Sequence, residues 1–548
     1  MHRLLLPLLI VAVSMPAAAS AQHEGHGGRA PRAAAHAPVL GSVAFRNSGR
    51  PAAQGAVQRG VALLHNFQYD DAADALREAQ RADPGLAVAY WLEALTYSHV
   101  LWQEEELDRA RAALARLGSN PETRLARAPA GWERTFGAAV EAYFSPGPRG
   151  ERAHAYAEAL RQAAAADPAN LEAGAFASHA TLAEWSFARP DQKARLAAEA
   201  EALARRVFTA NPDHPGAAHY LTHIADADTR RAPEIIDAAR AYARIAADAE
   251  HALHMPSHVF LPLGMWAEVA ASNERAWAAS RRWVAEGGHS PADRSWHTLE
   301  WLQYAYLQQG RWNEARALID TARALLRGVA VPEGNPDARY TVNALAFRYA
   351  SESGRWDAWP AEIPSATALL ADPQPTARAQ GMALWAAYHA AVAATRSRRD
   401  TVPAAALAER LAVLGDSSTA PPRKALLAAA EARLRAHLAL RRGDRAGAVR
   451  LLRASATPGF SGASTPPAAE PLFEMVGAVL LEAGQPADAV AAYERALVER
   501  PNRPAALLGL ARARTAAGDA SGAAEAYARL AESWRRADPE ARALARGR

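Results

Sequence analysis

From about residue 57 to the C-terminus, apolar side chains recur at three- and four-residue steps through stretches rich in Ala, Leu, Arg and Glu. Gly or Asp-Pro interrupts them at intervals of about one helix length. That period belongs to amphipathic helices, and the alternation of a half-buried strand is nearly absent. LEWLQYAYLQQGRWNEARALID, residues 299–320, reads as one helical hairpin: an apolar helix, a turn at Gly310 and a second helix. The chain therefore predicts an all-α architecture of antiparallel helix pairs.

Two rhythms order the pairs. Gly484, Ala489 and Tyr493 return as Gly518, Ala523 and Tyr527 at a spacing of 34 residues. Farther upstream, Gly264-Met265-Trp266, Gly310-Arg311-Trp312 and Gly354-Arg355-Trp356 are separated by 46 and 44 residues. Each of these turns is read as following one apolar helix and preceding another, with its tryptophan packing at the turn. Pro- and Ser-rich stretches at Asp372–Thr376 and Ser455–Pro467 are the best boundaries. The expected organisation is a signal peptide over 1–21, a flexible His/Gly/Pro/Ala-rich leader over 22–56 and hairpins over 57–370. A linker and helix follow over 371–400, further hairpins over 401–470 and a terminal pair of repeats over 471–548.

With Gly477, Ala489, Tyr493, Ala496 and Pro501 in place, FEMVGAVLLEAGQPADAVAAYERALVERP resembles a tetratricopeptide repeat. RGVALLHNFQYDDAADALREAQRADP resembles one through Gly60, Ala72, Leu76, Ala79 and Pro84. Helices 8–10 Å apart need small residues where they touch, and an aromatic ring fills the gap to the next pair. The resemblance implies a right-handed superhelical solenoid with a concave groove.

Composition narrows the chemistry. The 548 residues contain no cysteine, which removes disulfides, thiolate metal sites, iron–sulfur clusters and cysteine nucleophiles. A basic start at His2 and Arg3, an apolar run Leu4–Val13 and Ala19-Ser20-Ala21 read as a secretory signal cleaved near Ala21. The run is too short for a membrane span of roughly 20 residues. The chain is thus expected to be exported, periplasmic or extracellular, with no membrane span in its mature form. A net charge of +4, with arginines scattered along the chain, predicts no nucleic-acid partner. Phosphate-binding loops, the H-E-x-x-H helix and the serine nucleophile elbow are all missing.

Histidine is where the chain departs from a plain scaffold. HYLTHIAD places His219 and His223 four residues apart with Asp226 three beyond, and HALHMPSH places His251, His254 and His258 at steps of three and four. On a helix each set shares a face, and two imidazoles at i and i+4 can reach one ion. Pro256 interrupts the second set, so His254 and His258 are not expected on one regular helix. The tetratricopeptide resemblance implies that positions 13, 10 and 6 before each turn glycine face the groove. These are His251, His254 and His258 for Gly264, and His297, Glu300 and Tyr304 for Gly310. With His179 they outline an imidazole-rich groove between residues 179 and 304. Isolated histidines such as His65, His154, His214 and His389 read as structural. Asn273-Glu274, a polar pair where the repeat buries apolar residues, reads as support for the histidines or as a solvated helix face.

The segment also resembles a group of exported bacterial repeat proteins carrying HY-x-x-H and HMPSH-[VI]-[FY], through His219, Tyr220, His223, His254, Met255, Pro256, Ser257, His258 and Phe260. That group brings no activity with it. Two functions stay open at this level. One is a binding scaffold for a peptide, a protein or a small ligand. The other is a protein or enzyme using a divalent transition metal, zinc, copper or nickel, on His219, His223, His254 and His258, with His251 and His297 as further candidates. A helical toroid enzyme with paired carboxylates ranks third, because the 34-residue repeat argues against it. No catalytic residue is assigned.

Overall fold

A computed structural model of the chain describes residues 38–100, 104–332, 335–371, 377–397, 399–418, 421–455 and 465–546. The signal peptide and the HEGHGG stretch lie outside these residues. The described chain is all-α, apart from an antiparallel two-stranded piece pairing Ser98 with Glu105 and His99 with Glu104. Among the described residues no helix is long and apolar enough to cross a membrane.

The chain divides into two compact units. Among the described residues, the first comprises 38–261 together with Ala271–Gly287; the second comprises Pro262–Ala270 with those from Gly288 onward. In the first unit, helices Pro51–His65 and Tyr69–Ala82 form the opening hairpin, and a Cβ at Gly60 would stand 2.7 Å from Leu76 Cγ. Only glycine allows that approach. Helix Leu171–Phe187 is apolar on nearly every side and accordingly lies inside the unit, followed by Pro190–Ala210 and Pro215–Ala227.

The leader expected over 22–56 is corrected where it is described. Helix begins at Pro51, and residues 38–50 are strapped to the unit: Ser42 N–H donates to the Asp213 carbonyl, and Ala44 N–H to Glu172. Phe45 is buried among Trp132, Phe136 and Phe176. Low periodicity marked this stretch as free chain, but its backbone bonds and one aromatic anchor hold it down.

The second unit carries the hairpin Trp296–Gln308/Trp312–Leu326 and ends in Leu472–Glu482/Pro486–Glu499 and Pro504–Ala516/Ala520–Ser533. Tyr493 fills the gap between the last two pairs, since Cβ atoms at Gly477 and Gly509 would stand 2.8 and 2.2 Å from its ring. The turns at Gly264 and Gly310, both at positive φ, are covered by these repeats. A Cβ at Gly264 would strike the Pro501 carbonyl at 2.4 Å, and Trp266 Nε1 donates to the Asn502 carbonyl at 2.9 Å. Asp538 N–H donates to the Gly310 carbonyl, and Trp312 meets Trp534 edge to face at 6.0 Å.

Two expectations change here. Gly354 is followed by a 3-10 turn, Trp356–Ala358, and the short helix Ala366–Ala371 rather than by a full second helix. The boundary expected at Asp372–Thr376 lies outside the described residues, and the core continues from one side of it to the other. Helix Ala377–Arg396 buries Ala386, Tyr388 and Val392 in one cluster running from Tyr340 to Leu438.

Candidate metal centre

Three imidazoles meet in the first unit. His219 and His223 stand one turn apart on helix Pro215–Ala227, and His251 sits on the short helix Glu250–His254. His219 Nε2 lies 3.0 Å from His251 Nε2 and 3.0 Å from His223 Nε2. The ligand atoms of all three fall within 4.8 Å of one another. Ligand nitrogens on a tetrahedral ion with bonds of 2.0–2.1 Å are about 3.3 Å apart, so the two contacts of His219 need to open by only a few tenths of an ångström.

The tautomer of His219 follows from its other nitrogen. Nδ1 lies 2.7 Å from the His65 backbone carbonyl, an obligate acceptor, so Nδ1 carries the proton and Nε2 presents a lone pair. Burial first, then His223, holds the His219 pKa well below the ordinary histidine range. For His251 the causes are burial and then His219, His223, His254 and His258. Both rings are therefore neutral at pH 7, as metal ligation requires. One lone pair on His219 faces two imidazole nitrogens. A single N–H can satisfy it, and the second nitrogen is left crowded against it. An ion placed among the three lone pairs removes that conflict, and the His65 carbonyl then serves as the outer acceptor that metal-bound histidines commonly use.

Phe67 forms the floor, and sequence reasoning missed it. Its ring is 4.3 Å from that of His219 and stacks at 5.8 Å on His223 and 5.5 Å on His251. Its φ is +57°, a left-handed conformation that bulky residues rarely adopt. A signal was present. Gly484 and Gly518 stand five residues before Ala489 and Ala523, and in the first repeat that turn position, five before Ala72, is Phe67. Tyr242 also stacks on His219, at 4.9 Å, and donates to Asn66 Oδ1 at 3.0 Å.

His254 and His258 form a separate pair. Pro256 divides this stretch into helices Glu250–His254 and Pro256–Phe260, yet Met255 keeps helical angles, φ −54° and ψ −35°. The two Nε2 atoms stay 3.0 Å apart. His254 Nδ1 lies 2.7 Å from Asn273 Oδ1, so Asn273 does support a histidine.

The main ligands expected for one ion, His219, His223, His254 and His258, therefore fall into two sets, and it is the further candidate His251 that stands beside the first two. His179 lies beside Phe67 and Tyr220, buried, and neither ring nitrogen has a hydrogen-bond partner among the described residues. Burial lowers its pKa to about 3. Asp226 is on the His219 helix, but its side chain is outside the described residues.

His297, Glu300 and Tyr304 belong to helix Trp296–Gln308 of the second unit. Tyr304 is not an open groove position: it is fully buried, and its hydroxyl accepts from Arg503 Nη1 at 2.8 Å. The last repeats cover it. Glu300 is held by Arg348 at 3.3 Å, and His297 packs its ring 5.5 Å from Trp301.

A third group, His65, Glu172 and His214, has metal-like spacing but a different logic. Ala217 N–H donates to His214 Nδ1, so His214 Nε2 carries the proton and lies 3.3 Å from Glu172, near it but outside hydrogen-bond geometry. His65 Nε2 lies 3.0 Å from the same carboxylate, which also accepts from Ala44 N–H. Burial works to raise the Glu172 pKa, and His214 and His65 outweigh it and hold it well below the carboxylate range. This is a buried knot of polar contacts around one carboxylate. It orients His65, whose carbonyl sets His219.

Residues 480–546 match the tetratricopeptide repeat family. No curated protein sequence matches the chain. Among solved structures, a monomeric mutant of IFIT1 with Gppp-AAAA is 12% identical, covers 88% of this chain and 90% of its own, and superposes with a TM-score of 0.33. The human IFIT1 dimer with m7Gppp-AAAA is also 12% identical, covers 86% and 88%, and gives 0.32.

Proposed function

Taking the chain as a tetratricopeptide-repeat protein, we propose that it is an exported metal-binding protein whose first unit holds one divalent transition-metal ion on His219, His223 and His251. The observation that carries this reading is the lone pair of His219 Nε2, fixed by the His65 carbonyl and faced by two imidazole nitrogens at 3.0 Å. Three neutral nitrogen donors and no thiolate suit zinc, copper or nickel. Three protein ligands leave a position for water or an incoming ligand, as in catalytic rather than purely structural sites. Export is supported by the basic start, the apolar run and Ala19-Ser20-Ala21. Stacked helical hairpins are a binding architecture, and a protein or peptide is the partner they suit.

The test is metal analysis of the secreted, tag-free chain. His219→Ala should lose the ion held by His219, His223 and His251. Adding zinc to the metal-free wild type should raise its stability by about 2.7 kcal/mol at a hundredfold excess over Kd. Wild-type protein that takes up no zinc, copper or nickel and melts at the same temperature with and without them would end the proposal.

A further inference from the structure

His254 and His258 repeat, with different partners, the device that prepares His219. The Ser257 hydroxyl donates to the His254 carbonyl, so its oxygen is available to accept, and Asn273 Nδ2 donates to it at 3.1 Å. That fixes the Asn273 amide with Oδ1 toward His254 Nδ1, 2.7 Å away. An amide oxygen can only accept, so Nδ1 holds the proton and His254 Nε2 turns a lone pair toward His258 Nε2 at 3.0 Å. A chain of three buried polar side chains, His254, Ser257 and Asn273, is thus spent on setting one imidazole. His251 stands between the two sets, its ring centroid 4.8 Å from that of His219 and 6.4 Å from that of His254.

We propose that the first unit carries a second metal ion, held by His254 and His258 beside the ion on His219, His223 and His251, so that the centre is a two-ion site. This rests on the metal reading above. The five donors are all imidazole nitrogens, which selects copper or zinc over magnesium, calcium or manganese. Asn273 acts as a positioning residue: it sets the tautomer of His254 and touches no ion. Two ions side by side can clamp one small oxygen ligand, such as water or an oxyanion, between them.

The experiment counts ions in the full secreted chain, stripped with chelator and then dialysed against zinc or Cu(II). Two ions per chain are expected in the wild type, one in His258→Ala and one in His223→Ala. The Cu(II) form should show dipolar broadening of its electron paramagnetic resonance signal that is absent from both variants. One ion in the wild type, or two retained in His258→Ala, overturns the second site, and two ions without broadening overturn their adjacency. No ion at all sinks the metal reading itself, so the two failures are told apart. Should His258→Ala fail to fold, Asn273→Leu leaves all five imidazoles in place. It should weaken the second ion about tenfold or more while the first is unchanged, and Asn273→Asp should restore binding. Equal affinity for the second ion in Asn273→Leu and wild type overturns the positioning role.

Discussion

Phe67 allows a test in which backbone and side chain are separated. The residue is 2% exposed, its ring touches His219, and its φ is +57°. Truncating a buried phenylalanine to alanine costs about 3–5 kcal/mol through lost burial and the cavity left behind. A left-handed conformation costs an L-residue about 1–2 kcal/mol, and glycine escapes that. Part of the gain is offset by the greater entropy glycine loses on folding, about 0.5–1 kcal/mol. Phe67→Ala should therefore lose the full 3–5 kcal/mol, while Phe67→Gly should be more stable than Phe67→Ala by about 1 kcal/mol. Both should bind zinc more weakly, because the floor that orders the three rings is gone. Urea denaturation of the metal-free proteins gives the first comparison and calorimetric zinc titration the second. If the glycine variant is no more stable than the alanine variant, the turn is not strained. If zinc affinity is the same in all three proteins, the ring does not order the site.

Two further predictions concern the second unit. Arg503 is fully buried and bonded to Tyr304, Glu352 and Glu474, so Arg503→Ala leaves two largely buried carboxylates without their bonded cation. It should destabilise this unit by about 3–5 kcal/mol in denaturant titration; a loss under 1 kcal/mol would show that solvent reaches the site. Burial holds His389 at about 4, although the Ala468 carbonyl and Glu470 act to raise it. The unfolded chain therefore takes up a proton near pH 6.5 that the folded site refuses until about 4, and stability contributed by this group falls as pH drops through that window. Between pH 7 and 5 the wild type should lose about 2 kcal/mol more than His389→Leu, and parallel pH dependence in the two proteins would refute the assignment.

How much of this was legible beforehand differs from residue to residue. The hairpins were readable because helix formation and small-residue contacts repeat locally. Gly60, Gly477 and Tyr493 meet the partners that the repeat pattern assigns to them. His219 with His223 was readable as a pair because four residues on one helix always share a face. His254 with His258 survived Pro256 because Met255 keeps helical angles, which proline disfavours but does not forbid. Residues 38–50 were misread because their anchoring depends on Asp213, Glu172 and Phe176, all far along the chain. Tyr304 was misread because the residue that covers it, Arg503, is 199 positions away.

By itself, then, the sequence determined the helices, their pairing into hairpins and the histidine pairs one turn apart, all of which depend on interactions within a few residues. Only the tertiary structure decided that His251 joins His219 and His223, that the His65 carbonyl sets the His219 lone pair, and that Phe67 lies beneath them. Each of these joins residues tens to more than a hundred and fifty positions apart. No local period records such a meeting, because it is set by how helices stack and by which buried polar groups must find partners.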